Sequence, residues 1–387
     1  MDFSFTPEAE AFRVEVQEFV AEHVTPDVFL GTRDGTIHSP ELHKKMAERG
    51  WLDGAVPAEL GGGGFDPLKM LVLLEELQLA HAPIDAMGVA SIVAAIVLEM
   101  GNDHLKETVV PPIIAGDALC SFGYTEPDSG SDVAAATTTA VRDGDEWTIN
   151  GQKMWTTMAH VADYVLLLTR TNPDVPKHKG LTFFIVPLDT PGIEIQPVHT
   201  MGTERSNATF YDNVRIEDKW RIGEVDGGWA VMKAGLKFER GIAGGQFPSA
   251  PLIDEAIEAA EATPRAGDTT ALDDPLVREQ LVRAMIDVEV ARGFAYKTAF
   301  LASEGEMFGV EGSITKLFVA EAYKKHTQWF LEMLGSEGLL SLDTPGAPVG
   351  GHIDEHFRHA PVTSIYGGTS EITRNLIAGA HLGLPRS

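Results

Sequence analysis

The spacing of apolar residues changes twice along this chain of 387 residues, and this restricts the folds open to it. The spacing is helical up to about residue 115, strand-like from about 118 to 226, and helical again from Trp229 onward. Such a succession predicts separate helical and β units rather than alternating strands and helices. The predicted α+β arrangement has an N-terminal α-helical domain (1–117), a middle β domain (118–228) and a C-terminal helical bundle (229–387).

The middle stretch contains short apolar runs that are separated by turn signals and not by helices. Asp143-Gly144 is a hairpin signal, and Thr190-Pro191-Gly192 is a second turn signal. We therefore expect an antiparallel barrel or sandwich here. The predicted strands cover 137–141, 146–149, 164–169, 181–186 and 193–198, and the helices predicted for the bundle cover 232–243, 277–295, 314–334 and 369–380.

The charge of the chain argues against some classes of function. Asp and Glu number 57 against 30 Lys and Arg, so the formal net charge is −27 and the surface repels a phosphate backbone. Cys120 is the single cysteine, which excludes a disulfide within the chain, and we expect it to be small buried filler. The N-terminus lacks the features of a signal peptide, and the longest apolar run, 86–98, is too short to span a bilayer. We expect a cytoplasmic protein with no nucleic-acid partner and no membrane insertion.

Three segments with an unusual arrangement of glycine, hydroxyl and aromatic residues carry the chemistry. Residues 124–132 read Tyr-Thr-Glu-Pro-Asp-Ser-Gly-Ser-Asp, 151–157 read Gly-Gln-Lys-Met-Trp-Thr-Thr, and 364–374 read Ser-Ile-Tyr-Gly-Gly-Thr-Ser-Glu-Ile-Thr-Arg. Together with the order of the predicted domains, they resemble the acyl-CoA dehydrogenases almost along the whole chain. These flavoenzymes remove hydrogens from the α and β carbons of acyl thioesters. The resemblance implies an oxidoreductase of lipid or fatty acid catabolism.

The resemblance also implies that FAD is the cofactor and indicates where it binds. A glycine-containing turn can offer backbone N–H groups and hydroxyls to a flavin, and an indole can cover one face of its ring. Taken alone, Trp155 would more often be a core residue. The FAD contacts implied by the resemblance are Phe122, Tyr124, Thr125, Gly130 and Ser131 in the first segment, Trp155 and Thr157 in the second, and Gly335, Thr369 and Glu371 further on.

The third segment has Gly367 where the family most often carries its catalytic glutamate. Removal of the α proton needs a carboxylate, and the thioester carbonyl needs donors. The resemblance implies that the backbone N–H of Gly367 is still one donor. In isovaleryl- and long-chain-type members the base lies instead directly before an arginine on a bundle helix, and Glu239 precedes Arg240 here. We expect Glu239 to be the base, Arg240 to assist binding of the CoA ester, and Ser131 to lie near the thioester as well.

Other features bear on partners and leave alternatives open. The resemblance implies an acyl-CoA substrate, electron transfer to an electron-transfer flavoprotein, and a homo-oligomer, either a dimer or a homotetramer. Arg265 lacks the Phe-Gly that follows it in many members, and Glu332 and Ser336 replace Gln and Gly in the segment around Gly335. These departures leave a second interpretation open, in which the chain is a subunit of a heteromeric dehydrogenase and its own site is incomplete. An acyl-CoA oxidase-like enzyme that reduces oxygen is a further alternative.

A reading from another class is a zinc hydrolase. Residues 352–356 read His-Ile-Asp-Glu-His and fit the HxxEH pattern of a zinc protease, with His359 three residues later. A five-residue motif arises readily by chance in a chain with 13 histidines, and the flanking sequence belongs to the segment that resembles the dehydrogenase signature. We therefore expect no metal at the active site.

Overall fold

The computed structural model of the protein describes residues 5–32, 34–243, 247–304, 310–342 and 344–385, and the side chains at 30, 31 and 237–243 are outside this description. Helices precede the first strand, as the helical spacing predicts. The cap signal at the start of α1 is confirmed, because the Thr6 hydroxyl accepts a hydrogen bond from the Ala9 N–H at 3.2 Å. The helices are α1 (Pro7–His23), α2 (Pro26–Gly31), α3 (Pro40–Glu48), α4 (Pro67–Leu79), α5 (Asp85–Met100), α6 (Asp103–Thr108) and α7 (Val110–Ile114).

The middle region forms one eight-stranded sheet, in the order β6-β7-β3-β2-β4-β5-β8 with β1 beside β4. The predicted hairpin at Asp143-Gly144 joins β2 to β3. The sheet is mixed and not purely antiparallel, since β1 pairs with β4 in parallel. The strands are β1 (Cys120–Gly123), β2 (Thr139–Asp143), β3 (Glu146–Lys153), β4 (Tyr164–Arg170), β5 (Leu181–Pro187), β6 (Ile193–His199), β7 (Arg205–Glu217) and β8 (Arg221–Ile222).

The C-terminal region is helical, and the four segments predicted as helices lie in helices. Two helices are additional to those predicted, α9 and α12. The described helices are α8 (Gly228–Ala243), α9 (Leu252–Ala262), α10 (Pro275–Ser303), α11 (Glu311–Leu334), α12 (His352–Thr363) and α13 (Ser370–Ala380).

Helix α5 is largely buried. Its apolar residues Val93 and Ile96 share a core with Leu166 of β4, Phe183 of β5 and Val231 of α8. This packing accounts for the apolar run 86–98, which is buried against protein on several sides. Within the described residues, no helix combines the length and the apolarity that crossing a bilayer requires.

Polar contacts join the three regions around this core. The buried carboxylate of Glu75 in α4 accepts from Arg13 of α1 and from Arg292 of α10, both at 2.9 Å. On another side of the molecule, the Thr203 hydroxyl donates to Glu355 of α12 at 2.7 Å. Helix α12 is therefore attached to the sheet region, and it leads directly into the signature turn at 364–369.

Candidate active site

The first two signature segments meet through backbone and side-chain contacts. The N–H of Met154 donates to the Thr125 carbonyl at 2.9 Å, and the Lys153 ammonium donates to the Tyr124 carbonyl at 3.3 Å. The turn of the first segment is closed by reciprocal backbone hydrogen bonds between Glu126 and Ser129. Residues that are 27 or more positions apart are thus held as one surface.

A buried ion pair fixes this junction. Lys153, which is 1% exposed, donates to the Glu126 carboxylate at 2.8 Å, and both side chains are buried. Glu126 also accepts from the N–H and hydroxyl of Thr137, at 2.7 Å each, and from the Thr138 N–H at 2.8 Å. Burial raises the pKa of Glu126, but the Lys153 charge and these donors outweigh it, and the pKa falls to about 2. Burial lowers the pKa of Lys153 to about 8, so both groups are charged at pH 7.

Trp155 follows this pair and is not a core residue. Its side chain is 53% exposed, and its backbone has φ = 62°, in the left-handed region that tryptophan rarely adopts. Next to it Thr156 is fully buried and its N–H bonds the Asn207 carbonyl, while Thr157 contacts the Ser206 hydroxyl at 3.3 Å. An exposed indole on a strained backbone, held from both sides by the sheet, fits a residue that is presented to a ligand.

The first segment fits the binding of a large polar group. The Ser129 hydroxyl is buried and has no hydrogen-bond partner. A Cβ added at the exposed Gly130 would meet nothing closer than the Thr125 methyl at 4.0 Å, so the space above this turn is open. Phe122 and Tyr124 stack with ring centroids 5.1 Å apart at the base of the same surface. A buried hydroxyl without a partner, an open turn and an exposed indole fit the binding of a flavin nucleotide.

The third segment forms a glycine turn at the start of α13. Gly367 and Gly368 have φ of 61° and 93°, so both lie in the left-handed region that favours glycine. Thr369 caps α13 by accepting from the Ile372 N–H at 3.2 Å, and Glu371 is exposed in the first turn of that helix. A side chain at position 367 would strain the backbone. The structure therefore keeps an N–H group at this turn and no carboxylate.

The segment around Gly335 lies where α11 ends. Gly335 is the C-cap of α11 with φ = 62°. Glu332 is exposed and accepts from Gln328 one turn earlier at 2.8 Å. Arg265 binds the Met333 carbonyl within its own chain, which ties this arginine to the end of α11.

The two residues expected for catalysis on the bundle are Glu239 and Arg240. Both positions lie in α8, whose first residue Gly228 packs closely on β5: a Cβ there would come within 2.7 Å of the Leu181 carbonyl oxygen. The side chains of Glu239 and Arg240 lie outside the described residues. Their roles stay predictions.

Two titratable residues to which the resemblance gave no role interact at the signature turn, Asp85 and Tyr366. Asp85 starts α5, and desolvation raises the pKa of its carboxyl. Desolvation and then the negative charge of Asp85 raise the pKa of Tyr366, the residue before Gly367. The two groups are therefore close enough to interact electrostatically. The position of Asp85, directly before the longest apolar run, was a signal that could have drawn attention to it.

The HxxEH pattern does not assemble as a protease site. Glu355 is held by the Thr203 hydroxyl, and His356 pairs through Nδ1 with the Tyr323 hydroxyl at 2.5 Å. His359 contacts Glu204. A cavity of about 1070 Å³ between α1, the start of α4 and α10 is lined by none of the predicted site residues.

Comparison with known proteins agrees with this fold. Family models described as the acyl-CoA dehydrogenase N-terminal, middle and C-terminal domains match residues 6–117, 121–214 and 226–382. The chain belongs to the acyl-CoA dehydrogenase family and is an oxidoreductase that uses FAD. The cofactor predicted from the motifs is thereby confirmed.

Individual relatives cover the whole chain. Acyl-CoA dehydrogenase FadE26 of Mycobacterium tuberculosis is 34% identical over 100% of both chains. A solved structure titled as the Tcur3481-Tcur3483 steroid ACAD has a TM-score of 0.90 at 30% identity and covers 100% of both chains. The ChsE4-ChsE5 complex from Mycobacterium tuberculosis also gives 0.90, at 34% identity, again over 100% of both chains.

Proposed function

We propose that this chain catalyses the α,β-dehydrogenation of an acyl-CoA thioester to the trans-2-enoyl-CoA, with Glu239 as the base. The observation that carries the proposal is the turn at Gly367, where a left-handed glycine leaves an N–H donor and no carboxylate. The base must therefore come from elsewhere, and Glu239 on α8 matches its alternative position in the family.

The residues divide the work as follows. Glu239 removes the α proton, while the Gly367 N–H donates to the thioester carbonyl and favours charge that develops on its oxygen. Arg240 and Ser131 bind the CoA ester. Bound FAD would supply the acceptor for the β hydride and a hydroxyl donor for the carbonyl. Trp155 and Thr157 would hold its ring system, Trp155 by packing against it and Thr157 as a hydrogen-bond donor.

The cofactor surface extends over the remaining predicted contacts. Phe122, Tyr124, Thr125 and Gly130 belong to the surface fixed by the Glu126–Lys153 pair. Gly335, Thr369 and Glu371 lie on the bundle, and α11 and α13, which carry them, are joined by the hydrogen bond from Ser370 to Glu321 at 2.6 Å. We assign these three to the adenosine and pyrophosphate side of the cofactor.

For the acyl group we propose a polycyclic thioester, because a relative titled as a steroid ACAD aligns over the whole chain. The test is anaerobic titration of the purified protein with short, branched, long and polycyclic acyl-CoAs, followed by bleaching of the flavin. Bleaching by the polycyclic thioester at the lowest concentration supports this substrate class. Preference for a straight short chain would reject the substrate class but retain the reaction. Absence of bleaching with any thioester, in protein that holds FAD, would reject the reaction.

We further propose that electrons leave through an electron-transfer flavoprotein. The rival is an oxidase, which would hand them to oxygen. Turnover in air with and without an added electron-transfer flavoprotein separates the two. Reduction of the flavoprotein without peroxide supports the proposal, whereas stoichiometric peroxide formation would favour the oxidase.

An oligomer is supported by apolar side chains on the outside of the bundle. Surface patches of this kind mark contacts between chains. The exposed residues are Leu276, Val282, Met285, Ile286 and Val290 on α10, with Ile372 and Leu376 on α13.

The partner is either further copies of this chain, giving a dimer or homotetramer, or a second related chain. The second option is favoured by the solved ChsE4-ChsE5 complex, which the chain matches over its full length. Light scattering and FAD content of the purified protein distinguish them. A tetramer with one FAD per chain supports the homo-oligomer, while a protein that holds FAD only after addition of a second chain supports the heteromer.

A further inference from the structure

Three side chains from separate segments meet where the N-terminal helices contact the bundle. Glu255 of α9 accepts on one oxygen, Oε1, from both His352 Nδ1 at 2.9 Å and His81 Nε2 at 3.2 Å. One nitrogen or oxygen from each of the three lies within 4.8 Å of the others. None of these residues has a part in the proposed dehydrogenation.

The second oxygen of Glu255 is unexplained by the protein contacts. Oε2 is buried and has no hydrogen-bond partner, although the carboxylate faces two imidazoles. Buried carboxylate oxygens are almost always paired, and an exception points to a water or an ion. The His81 and His352 contacts use Oε1 alone, so an ion can bind Oε2 without displacing a protein contact of that oxygen.

The backbone at His81 gives an independent indication. His81 and Ala82 close α4 by donating their N–H groups to the carbonyls of Gln78 and Leu77, at 2.9 Å each. Helices that end in this way usually have a glycine at the position of His81, because the backbone there is left-handed. His81 adopts this conformation, with φ = 54°. A histidine in that conformation costs about 1 kcal/mol relative to glycine, and such strain is retained where the side chain is needed.

We propose that His81, Glu255 and His352 bind one divalent transition-metal ion, with zinc as the best match. Two imidazoles and one carboxylate are a known zinc donor set, with water in the fourth position. Donors of a tetrahedral zinc site lie about 3.4 Å apart at bond lengths of about 2.0–2.1 Å. The donor distances at this cluster are close enough for small side-chain rotations to reach that geometry.

The ion would tie the end of α4 to α9 and to the first residue of α12. Helix α12 runs from His352 to Thr363 and is followed by the turn that contains Gly367. The proposed role is therefore structural: the ion holds the helix that positions the signature turn. The site shares His352 with the HxxEH pattern, but its other ligands lie outside that pattern, so no hydrolase follows from it.

The test is metal binding to the full-length protein prepared without a polyhistidine tag. We expect one zinc per chain by competition with a chromophoric chelator, and an increase in the unfolding temperature with zinc relative to EDTA. Cobalt in place of zinc should give the intense visible bands of a tetrahedral site. The ligand variants are Glu255→Gln, His352→Asn and His81→Asn, the last because asparagine tolerates the left-handed backbone.

Each ligand variant should weaken zinc binding by at least about tenfold and remove the zinc-dependent rise in unfolding temperature. Glu355→Gln is the matched control on α12 and should bind zinc as the wild type does. The unfolding temperature in EDTA shows that each variant is folded. Failure of the wild type to bind stoichiometric zinc would overturn the proposal. Binding that survives Glu255→Gln, or is lost in Glu355→Gln, would assign the ion to other residues and overturn it equally.

Discussion

The ion pair between Glu126 and Lys153 provides a sharp test of how the cofactor surface is built. We consider Glu126→Gln, Lys153→Met and the double variant. In Glu126→Gln one acceptor oxygen becomes an NH₂ group that faces either the Lys153 ammonium or the Thr137 N–H. In Lys153→Met the carboxylate keeps its three donors from Thr137 and Thr138 but loses its countercharge.

The size of the effect follows from burial, since the side chain of Lys153 is 0% exposed and that of Glu126 is 5% exposed. Removing one partner of a buried pair leaves a charge without compensation and costs about 3–5 kcal/mol of unfolding free energy. The double variant removes both charges, and we expect it to be more stable than Glu126→Gln alone. The coupling between the two sites should therefore exceed about 2 kcal/mol.

The pair also predicts the acid limb of stability. The pKa of Glu126 is about 2 in the folded protein against an ordinary value of 4.5, so its contribution is complete above about pH 4.5. It is lost as the pH falls from there toward 2. Lys153 stays protonated over this range and adds no pH dependence. In Glu126→Gln this part of the acid limb should disappear.

The assay is unfolding in guanidinium chloride, followed by tryptophan fluorescence at several pH values, with FAD affinity measured on the same samples. Because the pair joins residues 124–126 to 153–155, we expect FAD affinity to fall together with stability in both single variants. Additive single-variant effects, or a loss below about 1 kcal/mol for either one, would refute the inference that this pair holds the surface together.

Three further predictions concern residues at the site. Trp155 has a side chain of about 250 Å² that is 53% exposed, and burial of this exposed part under FAD gives about 3 kcal/mol of binding free energy. Trp155→Gly should therefore weaken FAD binding about 100-fold, while it relieves the backbone strain. A variant that is less stable than the wild type without FAD would contradict this. Gly367→Ala should lower kcat up to about 100-fold, since the N–H donor is displaced. The control is Gly267→Ala, at φ = 74° in open space, which carries the same backbone strain and should leave kcat unchanged. Equal losses of kcat in the two variants would contradict the donor role of Gly367. Asp85→Asn should lower the pKa of Tyr366 in an ultraviolet titration, because a neighbouring negative charge is removed; an unchanged titration would show that the two groups do not interact.

Much of the fold follows from sequence patterns that report local structure. The apolar run at 86–98 predicts α5 because its length and composition suit a buried helix. Strand β7, Arg205–Glu217, was not predicted, because buried polar residues such as Asn207 and Thr209 interrupt its apolar alternation. These side chains are satisfied by partners in distant segments, which local spacing does not report. The parallel pairing of β1 with β4 is a long-range contact for the same reason.

The candidate site divides in the same way. The motifs predict which residues contact the cofactor, but the burial of Lys153 against Glu126 depends on the end of β3 meeting a turn 27 residues earlier in the chain. Trp155, taken by itself, favours a core position, and its exposure results from the left-handed backbone that β3 and the following turn impose. Asp85 carries no motif, and its closeness to Tyr366 arises only when α5 packs near the signature turn.

The central claim is that Glu239 supplies the base that position 367 lacks. The direct measurement is single-turnover bleaching of the flavin by acyl-CoA under anaerobic conditions in Glu239→Gln, with Glu258→Gln, an exposed glutamate on α9, as the control. We predict that Glu239→Gln keeps FAD and its unfolding temperature but bleaches about 10²–10⁴-fold more slowly, while the control bleaches as the wild type does. Bleaching at the wild-type rate in Glu239→Gln would contradict the assignment.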